Sequence, residues 1–468
     1  MSSPEVAEVD MKIPASVPES SGTLLSRLGK WWTRKGDVSI KGDAPAAAKV
    51  VALSPREGRR MREQLRRCFD ARLTDVAANE AAREWRDRYA AADADIRQAM
   101  LAVLAEVAAE TGNSDAARSG ASQLTQALSH ARIRFFKRLN GLAAGGGLRF
   151  LLQLRADMLR ARKQIPALKP LDEDLEGLFS NWFDVGLLEL RRISWDSPAS
   201  LLEKLIIYEA VHEIASWADL RNRLDSDRRC YAFFHPRLPD EPLIFVEVAF
   251  VPDMAGNVQT LLDEAAPLED LKKVRWAIFY SISNTQTGLR GVSFGNFLLK
   301  RVIEEIQNEF PKLKQFATLS PIPGFADWLR KQSAAQLDDV FSVRALVRYR
   351  QVRGKEAAGQ DWLAWLQSDE GDAEQAAARQ AVGIALAAHY LVKVRDGTLP
   401  VDPVARFHLG NGAQMERLNW QADASKKGRA QSCGMMVNYL YELDALDDNL
   451  AQLGEGSPRI GRGIAKLL

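Results

Sequence analysis

The sequence predicts a multidomain protein in which an all-α helical region is followed by an α+β region. We place a mobile tail at residues 1–55, the helical domain at residues 56–195 and the α+β domain at residues 196–468. Three observations support this division. The chain of 468 residues is too long for one ordinary core. Its first half carries helical periodicity, and its second half carries segments dense in Val, Ile, Phe and Tyr.

The helical region is rich in Ala, Arg, Glu and Leu, and residues 57–110 contain no proline. One helical face is marked by apolar residues four apart, namely Met61, Leu65, Phe69 and Leu73. We expect helix throughout 56–195, with a break at AAGGGLRF (143–150), because three consecutive glycines do not readily continue a helix. No Lys-Ser/Thr pair follows these glycines, so a hinge between helices is favoured over a phosphate loop.

The second region begins with a predicted helix in which Ser197 is the N-cap and Pro198 the first helical residue. A helix is also expected over 294–310, ended by Pro311, and another helical stretch over 326–396. The predicted strands are RCYAFFH (229–235), PLIFVEVAFV (242–251), VRWAIFYSIS (274–283), FATLS (316–320) and MMVNYLYEL (435–443). Strands, a helix and further strands in this order indicate an α+β domain.

Composition excludes several classes of function. The formal net charge is +2, which gives nucleic acid no bulk electrostatic attraction. The three cysteines form no disulfide framework and suit a reducing compartment, and no His or Cys spacing suits a metal, so we expect no metal. No apolar run approaches the roughly 18 residues that span a bilayer. The N-terminus lacks the apolar core of a secretory signal, and we expect the cytoplasm of a bacterium.

A glycine-bearing turn precedes the helix predicted over 294–310. Backbone N–H groups and the helix dipole at such a turn suit a phosphate, and glycine allows its close approach. The segment resembles the pattern Arg/Gln-x-x-Gly-x-Gly/Ala, with which acyltransferases of the GNAT type hold the pyrophosphate of coenzyme A. Ser293 stands where that pattern has its first glycine. An ordinary helix cap is the alternative. The candidate coenzyme A-binding residues are Arg290, Gly291, Val292, Ser293, Phe294, Gly295 and Asn296.

Ser320 ends a short apolar strand and is followed by the sequence PIPGF. The two prolines fix the turn, because each locks φ and neither donates an N–H. The segment can therefore hold one hydroxyl rigidly, although a plain structural turn is also consistent with it. A hydrolase nucleophile elbow is disfavoured, because the N–H that follows its serine is absent at Pro321.

His408 lies in FHLGNGAQMERLNW and is followed by the turn signal Asn411-Gly412. A histidine in a loop rich in polar groups suits proton transfer through its near-neutral pKa. A structural histidine is the alternative.

These three segments together closely resemble the malonyl-CoA decarboxylase family. The resemblance includes YEAVHEI from Tyr208, RRCYAFFHP from Arg228, FYSISNTQTGL from Phe279 and SCGMMVNYLYEL from Ser432, and covers residues 200–443 in order. It implies a helical N-terminal domain, a GNAT-type catalytic domain and a homotetramer acting in fatty acid metabolism. It also implies that Ser320 and His408 are catalytic, and that the turn at 290–296 binds the coenzyme A of malonyl-CoA and acetyl-CoA.

The chemistry agrees with this small set of groups. When CO2 leaves malonyl-CoA, the electron pair of the broken C–C bond passes into the thioester carbonyl. The substrate therefore carries its own electron sink, and we expect no cofactor. We expect His408 to donate the proton and Ser320 to orient the carboxylate or relay protons, with the reverse allocation left open. The alternatives are an N-acetyltransferase of the GNAT type, which needs an amine, and a non-catalytic acyl-CoA-binding protein, which binds without turnover.

Overall fold

The computed structural model describes residues 53–69, 75–110, 121–141, 146–292, 298–340 and 357–468. These residues fall within one compact unit, Val51–Leu468. The predicted tail lies outside them apart from residues 53–55, and Pro55 already begins the first helix. Within these ranges, no helix has the length and apolar character that a membrane span requires.

The N-terminal part of the chain is helical, as its periodicity predicts. The helices are α1 (Pro55–Phe69), α2 (Asp75–Ala91), α3 (Ala94–Glu110), α4 (Ala121–Gly141), α5 (Gly146–Ala161) and α6 (Lys169–Trp182). Their apolar faces bury a cluster that includes Trp85, Phe135 and Phe179, all with no exposed surface. The predicted break is confirmed, because α4 ends before the glycines and α5 begins at the second of them.

A mixed sheet follows. Its strands are β1 (Glu189–Ile193), β2 (Arg228–His235), β3 (Leu238–Val251), β4 (Trp276–Asn284), β5 (Gln315–Thr318), β6 (Ser320–Pro321), β9 (Gln414–Asn419) and β10 (Met436–Leu440), while β7 (Arg395–Asp396) and β8 (Leu399–Pro400) form a separate pair. The order is β1-β2-β3-β4-β5-β10-β6, and β9 pairs with β10. The neighbours are antiparallel except β4 and β5, which are parallel. The expected fold class, helical and then α+β, is confirmed.

Two details of the sequence prediction are wrong. Helix was expected up to residue 195, but β1 pairs with β2 from Glu189↔Phe234 to Ile193↔Cys230. Glu, Leu and Arg favour helix locally, and pairing with a distant strand overrides that preference. The helix expected at Pro198 begins one residue later, at Ala199. The domain boundary at 195/196 remains a prediction.

Further helices lie between and after the strands. They are α7 (Ala199–Tyr208), α8 (Trp217–Arg223), α9 (Gln259–Leu262), α10 (Leu298–Glu309), α11 (Phe325–Arg330), α12 (Ala334–Val340), α13 (Gly359–Gln367), α14 (Ala373–Lys393), α15 (Pro403–Gly410), α16 (Lys426–Ser432), α17 (Leu446–Gly454) and α18 (Arg462–Ala465). The parallel ladder ends at Phe279↔Thr318, and β6 then pairs with β10 through Ser320↔Val437. This end of β5 is where the polar side chains of the candidate site meet.

Candidate active site

Ser320 and His408, 88 residues apart in the sequence, are in direct contact. Ser320 Oγ lies 3.0 Å from His408 Nε2. The serine begins β6, and the histidine lies on α15. That helix starts with Pro403 at its first position, and the Asp402 side chain accepts hydrogen bonds from the N–H groups of residues 404 and 405. Local capping thus fixes the start of the helix that presents the imidazole.

Asp402 also ties the helix of His408 to the turn after Ser320. Its second carboxylate oxygen accepts a hydrogen bond of 3.3 Å from the Gly324 N–H, and the carboxylate is also bonded to the Tyr390 hydroxyl. Burial raises the pKa of Asp402, while the N–H groups that it accepts from oppose that rise. One buried carboxylate therefore holds both segments that carry the pair.

The pair is part of a longer hydrogen-bonded chain. Ser320 Oγ donates to Thr318 Oγ1 over 2.8 Å, and Thr318 Oγ1 also accepts from the Tyr439 N–H. At the other end, His408 Nδ1 lies 2.9 Å from the Tyr441 hydroxyl. The Tyr439 ring stacks on the imidazole, with centroids 4.5 Å apart. Strand β10 and the residue after it therefore hold the imidazole by its face and by its Nδ1 atom.

The direction of this chain follows from its partners. Within the described part of the chain, Tyr441 has His408 Nδ1 as its hydrogen-bond partner, so donation by the tyrosine leaves no buried hydroxyl proton unpaired there. Nδ1 is then the acceptor and Nε2 carries the proton, which is donated to Ser320 Oγ. Ser320 in turn directs its proton to Thr318. His408 is thus a neutral imidazole that donates through Nε2.

Burial changes the acidity of His408. Its side chain is 2% exposed, and desolvation lowers its pKa from 6.5 to about 3. The expectation of a near-neutral pKa in a polar loop is therefore wrong for the free protein. His408 lies on helix α15 and its ring packs against Tyr439 of β10, which the local sequence does not show. The imidazole is neutral throughout the physiological pH range.

A cavity of about 290 Å³ opens at this pair. Its lining includes Ser320 and His408 together with Gly291 and Val292 from the predicted coenzyme A turn. The remainder is mostly apolar and is supplied by Val211, Ile244, Tyr280, Ile282, Asn284, Leu289, Leu298, Pro321, Pro403, Val404 and Phe407. None of the described residues that line it is charged at neutral pH. Its described lining thus offers a bound group one hydroxyl and one imidazole in mostly apolar surroundings.

Only part of the predicted turn can be placed. Gly291, with φ +83°, and Val292 line the cavity, whereas Arg290 precedes them and is absent from the described lining. Ser293, Phe294, Gly295 and Asn296 lie outside the described residues.

A second buried carboxylate holds another part of the cavity lining in place. Glu209 accepts hydrogen bonds from the hydroxyls of Ser281 and Ser283 on β4 and from the N–H groups of Val211 and His212. Since Val211 lines the cavity, this contact fixes the wall against the strand.

Sequence reasoning missed Thr318, Tyr441, Asp402 and Glu209. The first two carried a signal, because Thr318 lies two residues before Ser320 and Tyr441 two residues after Tyr439, a spacing that puts side chains on one face of a strand. For Asp402 the signal was an acidic residue before Pro403, which is typical of a helix start. Glu209 offered no local signal, since its partners lie on β4.

Two other properties concern metals and thiols. Over the ranges that the structure describes, no cluster of three His, Cys, Asp or Glu side chains could hold a metal ion. Cys68, Cys230 and Cys433 are free and buried, and burial raises the pKa of each thiol. These thiols are shielded packing groups and not reactive nucleophiles.

Comparison with known proteins gives consistent matches. The malonyl-CoA decarboxylase C-terminal domain matches residues 186–467, and the malonyl-CoA decarboxylase N-terminal domain matches residues 89–183. Together they span the described helical and sheet regions from the last residues of α2 onward.

Individual relatives agree with the domain matches. The mitochondrial malonyl-CoA decarboxylase of Mus musculus is 37% identical over 374 residues, which is 74% of this chain and 74% of that protein. The crystal structure of malonyl-CoA decarboxylase from Cupriavidus metallidurans is 66% identical, with a TM-score of 0.78 over 88% of this chain and 100% of that chain. The enzyme from Rhodopseudomonas palustris is 38% identical, with a TM-score of 0.71 over 88% and 100% of the two chains.

Proposed function

The chain belongs to the malonyl-CoA decarboxylase family, and from that premise we propose how its residues carry out the reaction. It is a carboxy-lyase that converts malonyl-CoA to acetyl-CoA and CO2. The observation that carries the mechanism is the contact between Ser320 and His408 in one cavity. The N-acetyltransferase and the non-catalytic acyl-CoA-binding protein are not favoured by the relatives.

Loss of CO2 is assisted by the character of the cavity. The malonyl carboxylate lies β to the thioester carbonyl, which accepts the electron pair of the breaking C–C bond and becomes an enolate. Over its described lining, which contains no charged residue, the cavity offers the carboxylate no counter-ion. Its localised charge is therefore less well solvated than in water, and the transition state, in which that charge spreads towards the thioester oxygen, is favoured.

The enolate carbon must then take up one proton. We assign this delivery to the Ser320 hydroxyl, which turns from Thr318 towards the substrate, while His408 keeps its Nε2 proton and donates a hydrogen bond to the serine oxygen that is left negative. Tyr441 holds Nδ1 and so keeps the proton on Nε2. One proton is consumed for each carboxylate that becomes CO2, and solvent restores it to the chain after the products leave. The neutral state of His408 supports this allocation over direct donation by an imidazolium.

The coenzyme A portion of substrate and product is assigned to the turn from Arg290 to Asn296. In support, Gly291 and Val292 line the cavity that contains Ser320 and His408, and α10 (Leu298–Glu309) is the next described element along the chain. A helix start provides N–H groups and positive potential for a diphosphate.

The wider setting is also part of the proposal. We assign the predicted domains 1–55, 56–195 and 196–468 to a tail, an assembly region and the catalytic domain of a homotetramer in bacterial cytoplasm, acting in fatty acid metabolism. An exposed pair, Trp195 and Trp217 with ring centroids 6.1 Å apart, supports an interface between copies. Three buried free thiols suit a reducing compartment. Light scattering on the full chain tests the tetramer.

The catalytic role of Ser320 and His408 is tested by the variants Ser320→Ala and His408→Asn and by the double variant. Each single change should lower kcat by roughly 10²–10⁴-fold, the range for losing a general acid–base group. The double variant should be little worse than the poorer single, because groups in one proton chain are not additive.

Acetyl-CoA affinity serves as the binding control and should change little. His235→Asn is the matched variant, since His235 is also buried but does not line the cavity in the described structure. Fully multiplicative losses, or normal kcat in His408→Asn, would contradict the proposed chain.

A further inference from the structure

A buried arginine of the helical region contacts the turn at residues 288–290, directly before the cavity-lining residues Gly291 and Val292. Arg155 lies on α5 and has no exposed surface. Its Nη1 donates to the carbonyl oxygens of Gly288 and Arg290, each over 2.8 Å. One guanidinium nitrogen thus fixes two peptide carbonyls more than 130 residues away in the sequence.

The guanidinium is itself held from α6. Nε donates to Asp172 over 2.8 Å, and Nη2 pairs with Glu176. A planar guanidinium with five donors can engage two carboxylates and two carbonyls at once, which an ammonium cannot. The position of the turn is therefore set by two helices of the N-terminal region.

The turn is also seated on these helices without space for a side chain. A Cβ atom at Gly288 would overlap the carbonyl group of Leu152 on α5. Gly291 has φ +83°, and a Cβ there would lie 3.2 Å from the Glu176 carboxylate. Close packing against α5 therefore requires glycine at 288, and the positive φ favours glycine at 291.

The bond to the Arg290 carbonyl has a consequence for the next N–H group. In a planar trans peptide, the C=O of one residue and the N–H of the next point in opposite directions. Because the Arg290 carbonyl faces Arg155, the Gly291 N–H points away from it. Among the described residues this N–H has no backbone acceptor, and Gly291 lines the cavity.

We infer that Arg155 is a positioning residue for the substrate: it orients the Arg290–Gly291 peptide so that the Gly291 N–H donates to a diphosphate oxygen of the coenzyme A portion. The inference rests on the proposed binding of coenzyme A at this turn. It makes the helical region part of the substrate site in addition to any role in assembly.

The test compares Arg155→Gln with Arg132→Gln on the full chain. Arg132 lies on α4, is also buried and pairs with Asp174 on α6, and among the described residues it makes no hydrogen bond to the turn. Each variant is assayed with malonyl-CoA and with malonyl-pantetheine, which lacks the diphosphate and the nucleotide.

For Arg155→Gln we expect kcat/KM for malonyl-CoA to fall about tenfold or more, since misplacing a binding group by an ångström can cost that much. The value for malonyl-pantetheine should stay within about twofold of wild type. Arg132→Gln should leave the ratio between the two substrates unchanged.

Equal losses on both substrates, or no loss on either, would overturn the inference while leaving the coenzyme A assignment standing. If the wild-type protein itself uses both substrates equally well, the assignment of the turn fails and the inference fails with it. Should Arg155→Gln not fold, Arg155→Lys replaces it. That variant keeps the charge but not the forked geometry, and an unchanged substrate ratio in it would overturn the inference equally.

Discussion

The buried His408 should make folding stability depend on pH in a way that His408→Gln removes. The pKa of this imidazole is about 3 in the folded chain, against 6.5 for a solvated histidine. Between these values the unfolded chain binds a proton that the folded chain does not. Stability therefore rises with pH across this window, and it is lost as pH falls from 6.5 towards 3.

The size of the effect follows from that difference. At pH 5 a solvated histidine lies 1.5 pH units below its pKa, while the folded group is still almost wholly neutral, so His408 alone should remove about 2 kcal/mol of the stability present at neutral pH. His212, with its pKa lowered to about 4 mainly by burial, adds a similar loss. That second loss is present in wild type and in His408→Gln alike, and it cancels in the comparison.

The assay is guanidinium denaturation of both proteins at pH 7 and pH 5, at one fixed protein concentration because assembly adds to stability. Wild type should lose about 2 kcal/mol more than His408→Gln between the two pH values. Equal losses would mean that His408 titrates normally and is not the neutral donor of the proposed chain. In the same interval, wild-type kcat should show no acid limb that His408 controls.

Three other predictions follow from the site. Tyr441→Phe should lower kcat at least tenfold because His408 Nδ1 loses its donor, whereas Tyr439→Phe should not, since the Tyr439 hydroxyl has no partner among the described residues; equal kcat in both variants would contradict the direction of the chain. Treatment with a chelator should leave CO2 release intact, and activity restored by one divalent ion would refute a metal-free mechanism. Gly288→Ala should lower both Tm and kcat/KM for malonyl-CoA, because its Cβ would overlap the Leu152 carbonyl; wild-type values would show that the turn can move off α5.

Local chemistry in the sequence marked Ser320 and His408 as candidates, with a structural role left open for each, and it did not join them. The prolines after the serine and the turn after the histidine are short-range signals, whereas their 3.0 Å contact depends on β6 and α15 meeting at β10. The family resemblance supplied that link. The low pKa of His408 could not be predicted, because desolvation is a property of the packed ring and its neighbours. Strand β1 was also missed because it depends on a non-local contact: its partner β2 lies about forty residues away in the sequence.

The cavity and the turn have complementary roles in the proposed mechanism. The cavity favours loss of CO2, and the turn, supported by Arg155, provides the binding energy for the substrate. A cation next to the malonyl carboxylate would strengthen binding of the ground state and so raise the barrier to losing CO2. With no charged lining residue among those described, the acyl end cannot supply much of the binding energy. That energy must come from the distant part of the substrate, where a rigid turn can hold a diphosphate. Binding at the turn then holds the carboxylate in a place that does not favour it.

On this reasoning, wild-type protein should lose kcat and not only affinity when malonyl-CoA is replaced by malonyl-pantetheine. An unchanged kcat with a raised KM would mean that the coenzyme A portion only anchors the substrate.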